Sequence, residues 1–372
     1  MNFWEHLKLP IMALAPLEDV TDAAFRRIIA QKGKPASTRN GEPTRGGPDV
    51  MFCEFTSADG LVLADEKGQK KLRRKLLFSE IERPIVAQFF SAVPEHMEAA
   101  ARIAAEMGFD GVDINMGCPD RAVEKGGCGA AMIRTPALAR EIIRAAKRGF
   151  TSCRTSDVRH PMSLIPVSVK TRLGYNTDEL ETWLPELLAE EPAAITIHAR
   201  TRKEMSDVPA RWDRIARAVE IRNTVQDVRG ESSYKTLILG NGDVKDCADA
   251  HAKCEATGAD GAMLGRAVFG NPWLFAQTDN SERSRGASQD ISGLRNQYIA
   301  TPQERMEALA EHIRIFDELL GDVSSFATMK KHFKAYISGW PSCAGRDGAK
   351  ELRVRLMESQ RAEDALAILN IQ

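Results

Sequence analysis

Short apolar, β-branched runs alternate along this chain with longer amphipathic stretches, the pattern left by βα units wound on a parallel sheet. The runs fall near residues 11–15, 50–55, 85–89, 111–115, 166–171, 194–198, 236–240 and 261–264. Helical periodicity fills the gaps, as in PEHMEAAARIAAEMG, TPALAREIIRAAKRG and DELETWLPELLAEE, and several of these stretches open on Thr, Asp or Pro and close at Gly. Eight such units in about 270 residues predict an α/β fold of the (β/α)8 TIM-barrel type rather than a doubly wound sheet, with function gathered where the strands end. Three further helical stretches, QERMEALAEHIRIFDELLGD, SFATMKKHFKAYISG and AKELRVRLMESQRAEDALAILN, predict a small helical domain after the barrel. The division expected is a barrel over 1–277, a linker or loop over 278–300 and a helical domain over 301–372.

Four segments rich in Gly, Ser, Thr, Asn and charge, at 36–48, 151–163, 223–235 and 278–298, are expected as surface insertions. A chain of 372 residues can bury a large core. No apolar run approaches the ~20 residues of a membrane span, and the opening MNFWEHLKLPIM has neither a basic leader nor a small-residue cleavage site. The seven cysteines are scattered and form no CxxC pair, which fits neither a zinc site nor a disulfide scaffold. A soluble, metal-free protein of the reducing cytoplasm is expected, a monomer by default. The formal net charge of −1 gives no global pull toward nucleic acid, so any RNA contact must rest on local basic patches. The candidates are KGQKKLRRK at 67–75, REIIRAAKR at 140–148 and MKKHFK at 329–334, each equally readable as a solvated helix face.

The chemistry concentrates at the strand ends. The loop DINMGCPDRAVEKGGCGAAM sets Cys118 on a turn, beside Pro119 and ahead of a glycine-rich stretch. A lone cysteine is usually a small buried hydrophobe. At this face, among Gly, Pro and charge, an exposed functional thiol is the better reading, whereas Cys128 in the same loop reads as structural. Lys170 ends the otherwise apolar VSVK, so its ammonium either meets an anion or polar ligand or snorkels to the rim. His198 closes ITIH on the face it shares with Lys170 and Gln88. In LILGNGDV and GAMLGRAVFGNP an apolar strand runs into a Gly-containing loop. Loops after the seventh and eighth barrel strands commonly bind phosphate through backbone amides, and Arg266 can add a forked contact.

Taken in order, APLEDVTD, PIVAQ, DINMGCP, VSVKTRLG, ITIHARTR, ILGNGDV and GAMLGRAVFGNPWLF resemble the tRNA-dihydrouridine synthases from Ala15 to Phe275, and the tail with its MKKH resembles that family's C-terminal domain more loosely. The resemblance implies an FMN enzyme that uses NADPH and reduces the C5=C6 bond of selected uridines in tRNA. It implies that Pro16, Leu17 and Glu18 touch the flavin and that Gln88, Lys170 and His198 address the isoalloxazine edge, with a positive Lys170 favouring the anionic reduced ring. Asn241, Gly242, Asp243, Gly265 and Arg266 would hold the ribityl phosphate, and Asn115 and Arg200 would lie close to the uracil. Cys118 would donate the proton to C5, a role that asks for a thiol near its ordinary pKa of about 8.5. The sequence departs from the family pattern at Leu17, where a Met is common, and at KEMSDVPA over 203–210, which lacks the tyrosine and glycine often found after the histidine strand.

Two other readings share part of this pattern. An FMN barrel enzyme acting on a free pyrimidine, of the dihydroorotate dehydrogenase kind, would carry the same flavin and phosphate features, but the helical tail and the Asn-Met-Gly-Cys-Pro loop favour the tRNA enzymes. A barrel that binds tRNA as a folding chaperone would have no need of Cys118 and Lys170.

Overall fold

The computed structural model describes residues 2–33, 47–151, 166–229, 235–276, 298–337 and 345–369. The strands are β1 (Ile11–Leu14), β2 (Met51–Phe52), β3 (Thr56–Ser57), β4 (Ile85–Phe90), β5 (Gly111–Met116), β6 (Val167–Arg172), β7 (Ala194–His198), β8 (Leu237–Asn241) and β9 (Gly261–Leu264). They pair in the order β1-β9-β8-β7-β6-β5-β4-β2, with β3 added to β4, and every pairing is parallel. A parallel bridge between Ala13 and Val50 joins the two ends. The Leu14 N–H donates to the Val50 carbonyl at 2.9 Å and the Asp49 N–H to that of Met12 at 2.8 Å, so the ring of eight strands closes.

The strands read as unbroken apolar runs because both faces are covered. One set of alternating positions, including Ile11, Ala13, Phe52, Val86, Leu239 and Met263, fills the barrel interior. Trp4 plugs it from the N-terminal end, its ring 6.4 Å from that of Phe52. The other set, including Met12, Leu14, Ile85, Ile114 and Val169, packs beneath the surrounding helices.

The ring's weakest strand is β2, which ends at Phe52 instead of continuing to Phe55 as the sequence pattern predicts. Glu54 turns its carboxylate inward to accept the Asp19 N–H, which takes the chain off the ladder until Thr56–Ser57 pairs again with β4. The insertion expected at 223–235 needs a larger correction. The helix Trp212–Arg229 runs through its first half, where Val225, one turn on from the buried Ile221, packs against the core. Residues 230–234 and nearly all of the insertions expected at 36–48, 151–163 and 278–298 lie outside the described residues.

After the barrel come helices Pro302–Leu320, Lys330–Ile337, Gly345–Glu358 and Ala362–Leu369. The first opens on a capping box in which Thr301 and Glu304 satisfy each other's backbone N–H groups. It docks on the helix Ala23–Gly33: Phe25 stacks on His312 at 5.1 Å and meets His332 at 4.6 Å, and Lys32 pairs with Glu311 at 2.7 Å. Both histidines are buried with no hydrogen-bond partner among the described residues, and burial drives both below the usual imidazole range, His332 to about 3. The histidine of MKKH is therefore a neutral packing residue. Among the described residues no helix is long and apolar enough to cross a membrane.

Candidate active site

The C-terminal ends of the strands open into a cavity of about 800 Å³. Its wall carries Pro16, Leu17 and Glu18 after β1, Gln88 on β4, Asn115 on β5, Cys118 beyond it, Lys170 on β6 and His198 on β7. Asn241, Gly242 and Asp243 at the end of β8 and Gly265 and Arg266 after β9 complete it. Of the residues picked from the sequence, Arg200 alone is not on the wall.

One side of the cavity is held by a chain of hydrogen bonds. Asp113, fully buried on β5, accepts from Ser168 Oγ and from Gln88 Nε2, each at 2.6 Å. Burial raises its carboxyl to about 6, and these two bonds oppose the rise. Gln88 Oε1 in turn accepts from Asn115 Nδ2 at 3.1 Å. Asn115 Oδ1 then accepts the backbone N–H groups of Gly117 and Cys118 at 3.1 and 2.9 Å, which fixes the turn carrying the thiol. Gly129, at φ +59, lies against this turn, and a Cβ there would stand 2.6 Å from the Cys118 carbonyl oxygen. Glycine at this position, after Cys128, thus lets two backbone segments touch. Cys118 is half-buried, and burial pushes its thiol above the ordinary value, offset in part by the Asp120 backbone N–H and then by Arg172. The expectation of an ordinary thiol pKa is thereby revised upward. Cys128 is buried, with its Sγ 3.5 Å from the Gly126 carbonyl.

The other side is cationic. Lys170 reaches Asn241 Oδ1 at 3.2 Å and has no carboxylate partner among the described residues. Burial, with Arg172 nearby, lowers it to about 8. Arg172 donates through Nε to the Gly117 carbonyl at 2.8 Å and through Nη1 to those of Thr201 and Met205, both at 3.0 Å. Burial lowers it to about 10, and no carboxylate pairs with it among the described residues. His198 is brought down to about 2 by burial and by Arg172, so it is neutral. Since Arg200 Nη1 can only donate, His198 Nε2, 3.0 Å away, must accept, which leaves the ring proton on Nδ1.

Arg200 itself is buried and engaged three ways: with His198, with the Val208 carbonyl at 2.5 Å and with Asp243. Its guanidinium sits behind the cavity wall, not on it. The arginine on the wall beside Cys118 is Arg172.

The loops after β8 and β9 leave backbone donors open. The backbone N–H groups of Gly242, Asp243, Gly265 and Arg266 have no partner among the described residues. Gly242 lies at φ +114, where a Cβ would come within 2.9 Å of His198 Cδ2, so close approach here requires glycine. Arg266 is mostly exposed and holds Asp243 Oδ1 at 2.9 Å, keeping the acid turned toward two arginines. Free amides, a neighbouring guanidinium and a desolvated ammonium deeper in the cavity match a ligand with a phosphate at one end and an electron-rich ring at the other.

Against known proteins, residues 13–372 match the family model described as "Dihydrouridine synthase (Dus)". The chain belongs to the dihydrouridine synthase family. A "Probable tRNA-dihydrouridine synthase" of Staphylococcus aureus (strain COL) is 34% identical over 371 residues, covering 99% of this chain and 95% of that one. A "Probable tRNA-dihydrouridine synthase 2" of Bacillus subtilis (strain 168) is likewise 34% identical, covering 99% of this chain and 96% of its own. Among solved structures, a mandelate oxidase mutant with an FMN adduct aligns at TM-score 0.38 and 15% identity over 69% of this chain and 65% of that one. That likeness is too distant to inform the site.

Within this dihydrouridine synthase family member, Asp113 and Arg172 take no role from the sequence alone. Both lie inside quoted motifs, DINMGCP and VSVKTRLG, yet nothing local marks them, since their partners are distant in the chain.

Proposed function

We infer that this protein reduces the C5=C6 bond of uridines in tRNA, with FMN held in the barrel cavity and NADPH as reductant. The observation that carries the reading is Cys118: a half-buried thiol, fixed by Asn115 and raised in pKa by burial, on the wall of a cavity that also holds a cationic cluster and a phosphate-type cradle. When bound and reduced, FMN supplies a hydride for C6. Cys118 Sγ keeps its proton at neutral pH and gives it to C5, completing the two-electron reduction. The thiolate left behind is stabilised by Arg172 alongside it. The third nitrogen of that guanidinium, Nη2, makes no hydrogen bond among the described residues and offers a donor to a carbonyl of the base.

Lys170 and His198 Nδ1–H provide a positive charge and a neutral donor for the flavin ring edge. The loops at Gly242–Asp243 and Gly265–Arg266 hold its phosphate, and Pro16, Leu17 and Glu18 flank it. Arg200 acts through His198 and Asp243 as a positioning residue. A target base must leave its stack to enter a cavity at the strand ends. We assign the catalytic role to the barrel over 1–277 and tRNA binding to 301–372, in a cytoplasmic monomer. Purified protein should be yellow, and with NADPH and an unmodified tRNA transcript should yield dihydrouridine by nucleoside mass spectrometry. Bound flavin with untouched tRNA, and reduction of a free pyrimidine instead, would replace this reading with that of a small-molecule reductase.

A further inference from the structure

Two arginine- and lysine-rich helices stood out in the sequence, and they differ in what their charges meet. In the helix Pro136–Thr151, Arg140 pairs with Glu190 and Glu186 at 2.7 and 3.3 Å, Arg144 with Glu190 at 2.6 Å and Arg148 with Glu98 at 2.9 Å. Lys147 donates to the carbonyls of Glu190 and Glu191 at 2.5 and 3.0 Å. That helix presents little free charge.

The helix Glu66–Lys75 has no buried residue and a single acid, Glu66. At helical spacing Lys67, Lys70, Lys71 and Arg74 form one stripe, flanked by Arg73. Lys67, Lys71 and Arg73 are exposed and make no ion pair among the described residues, and Lys70 has only Asp322 at 3.9 Å. The stripe is anchored at both its neighbours. Arg74 holds the Leu319 carbonyl at 3.2 Å and Asp322 at 2.9 Å in the helical tail, while Lys75 pairs with Glu18 on the cavity wall. From the tail side, Lys331 holds Asp19 at 2.8 Å, next to Glu18 in the same loop, and Lys334 on that helix is exposed and unpaired among the described residues. Two basic helices thus converge on one loop at the mouth of the cavity.

We propose that the exposed stripe Lys67–Lys70–Lys71–Arg73 is a docking track for the RNA phosphate backbone, leading the strand to the cavity mouth. The proposal rests on the tRNA reading above. Charge complementarity selects the occupant: a row of four exposed cations, of which only Lys70 has an ion pair among the described residues, on a helix with a single acid suits a polyanion, and the cavity beside it suits a base on that same polyanion. The net charge of −1 does not oppose this, because the other basic helix is neutralised within the fold.

The test measures binding of an unmodified tRNA transcript to the full-length flavoprotein from 0.05 to 0.3 M KCl. The variants are Lys67→Gln/Lys70→Gln/Lys71→Gln/Arg73→Gln, its charge-conserving counterpart Lys67→Arg/Lys70→Arg/Lys71→Arg, and the control Arg144→Gln/Arg148→Gln. The four-Gln variant should bind at least about tenfold more weakly near 0.15 M salt, with a log K against log salt slope shallower by about 3. The arginine variant and the control should match the wild type. If the wild type makes dihydrouridine in tRNA and the four-Gln variant binds with unchanged affinity and slope, the track is overturned and the enzyme reading stands. If the wild type neither binds nor modifies tRNA, the enzyme reading falls and takes the track with it.

Discussion

The two sides of the cavity are built differently. The thiol side, from Ser168 through Asp113, Gln88 and Asn115 to the Cys118 amide, is internally satisfied: the hydrogen bonds that define it run from protein to protein. The cationic side is incomplete. Among the described residues Lys170 has one amide oxygen and Arg172 only carbonyls, His198 is held neutral, and the loop amides after β8 and β9 have no partners. A satisfied network fixes position, whereas desolvated cations and open amides hold an electrostatic deficit that an anionic ligand relieves. On the proposed function, positional work falls to one side and cofactor binding to the other, and the contrast separates the variants by what they should change.

The largest effect is expected at the thiol itself. Cys118→Ala should lower steady-state dihydrouridine formation by roughly 10²–10⁴-fold, the range for loss of a general acid, while flavin content measured by absorbance stays at the wild-type level. Equal loss of flavin and product would erase the division between the two sides.

Next comes Lys170→Met, which should weaken FMN binding to the apoprotein by roughly 10–100-fold, the worth of a charge-assisted contact. The pH dependence has a definite sign. Burial lowers the Lys170 pKa to about 8, so the ammonium is lost as pH rises through about 8. FMN affinity of the wild type should therefore fall between pH 7 and 9, and a titration of Lys170→Met should be flat across that window.

A smaller effect is expected from Asn115→Ala, which frees the Gly117 and Cys118 amides and leaves Gln88 with one partner fewer. Turnover should fall by roughly tenfold with FMN affinity little changed, because the loss is of thiol placement. A fall in affinity with unchanged turnover would move Asn115 to the cofactor side. Smallest of all, Arg144→Gln removes an exposed pair with Glu190 and should cost less than about 1 kcal/mol in chemical denaturation.

Much of this was legible in the sequence because parallel strands covered on both faces leave apolar runs that stand out from amphipathic helices. Strand ends mark the catalytic face of such a barrel, which is why Cys118, Lys170 and His198 stand out in the sequence. What stayed hidden depends on spatial partners. Strand β2 is cut short by a contact between Glu54 and Asp19, and the polar stretch after Arg222 is helical because Val225 finds the core one turn beyond Ile221. Arg200 and Arg172 look alike in HARTR and KTR, yet one is sequestered by Asp243 and the other is left with carbonyls. Nor could the rise in the Cys118 pKa be read from composition, since it comes from burial. The basic runs at 67–75 and 140–148 are similar as strings and were separated only by the glutamates that fold against the second.

The most direct test is an anaerobic single turnover in which the bound flavin is reduced first and unmodified tRNA is then added to wild type and Cys118→Ala. Flavin reoxidation should proceed in step with dihydrouridine formation in the wild type, while the variant should remain reduced in the presence of the same tRNA. Reoxidation of the variant at the wild-type rate, with dihydrouridine formed, would show that the proton at C5 does not come from Cys118.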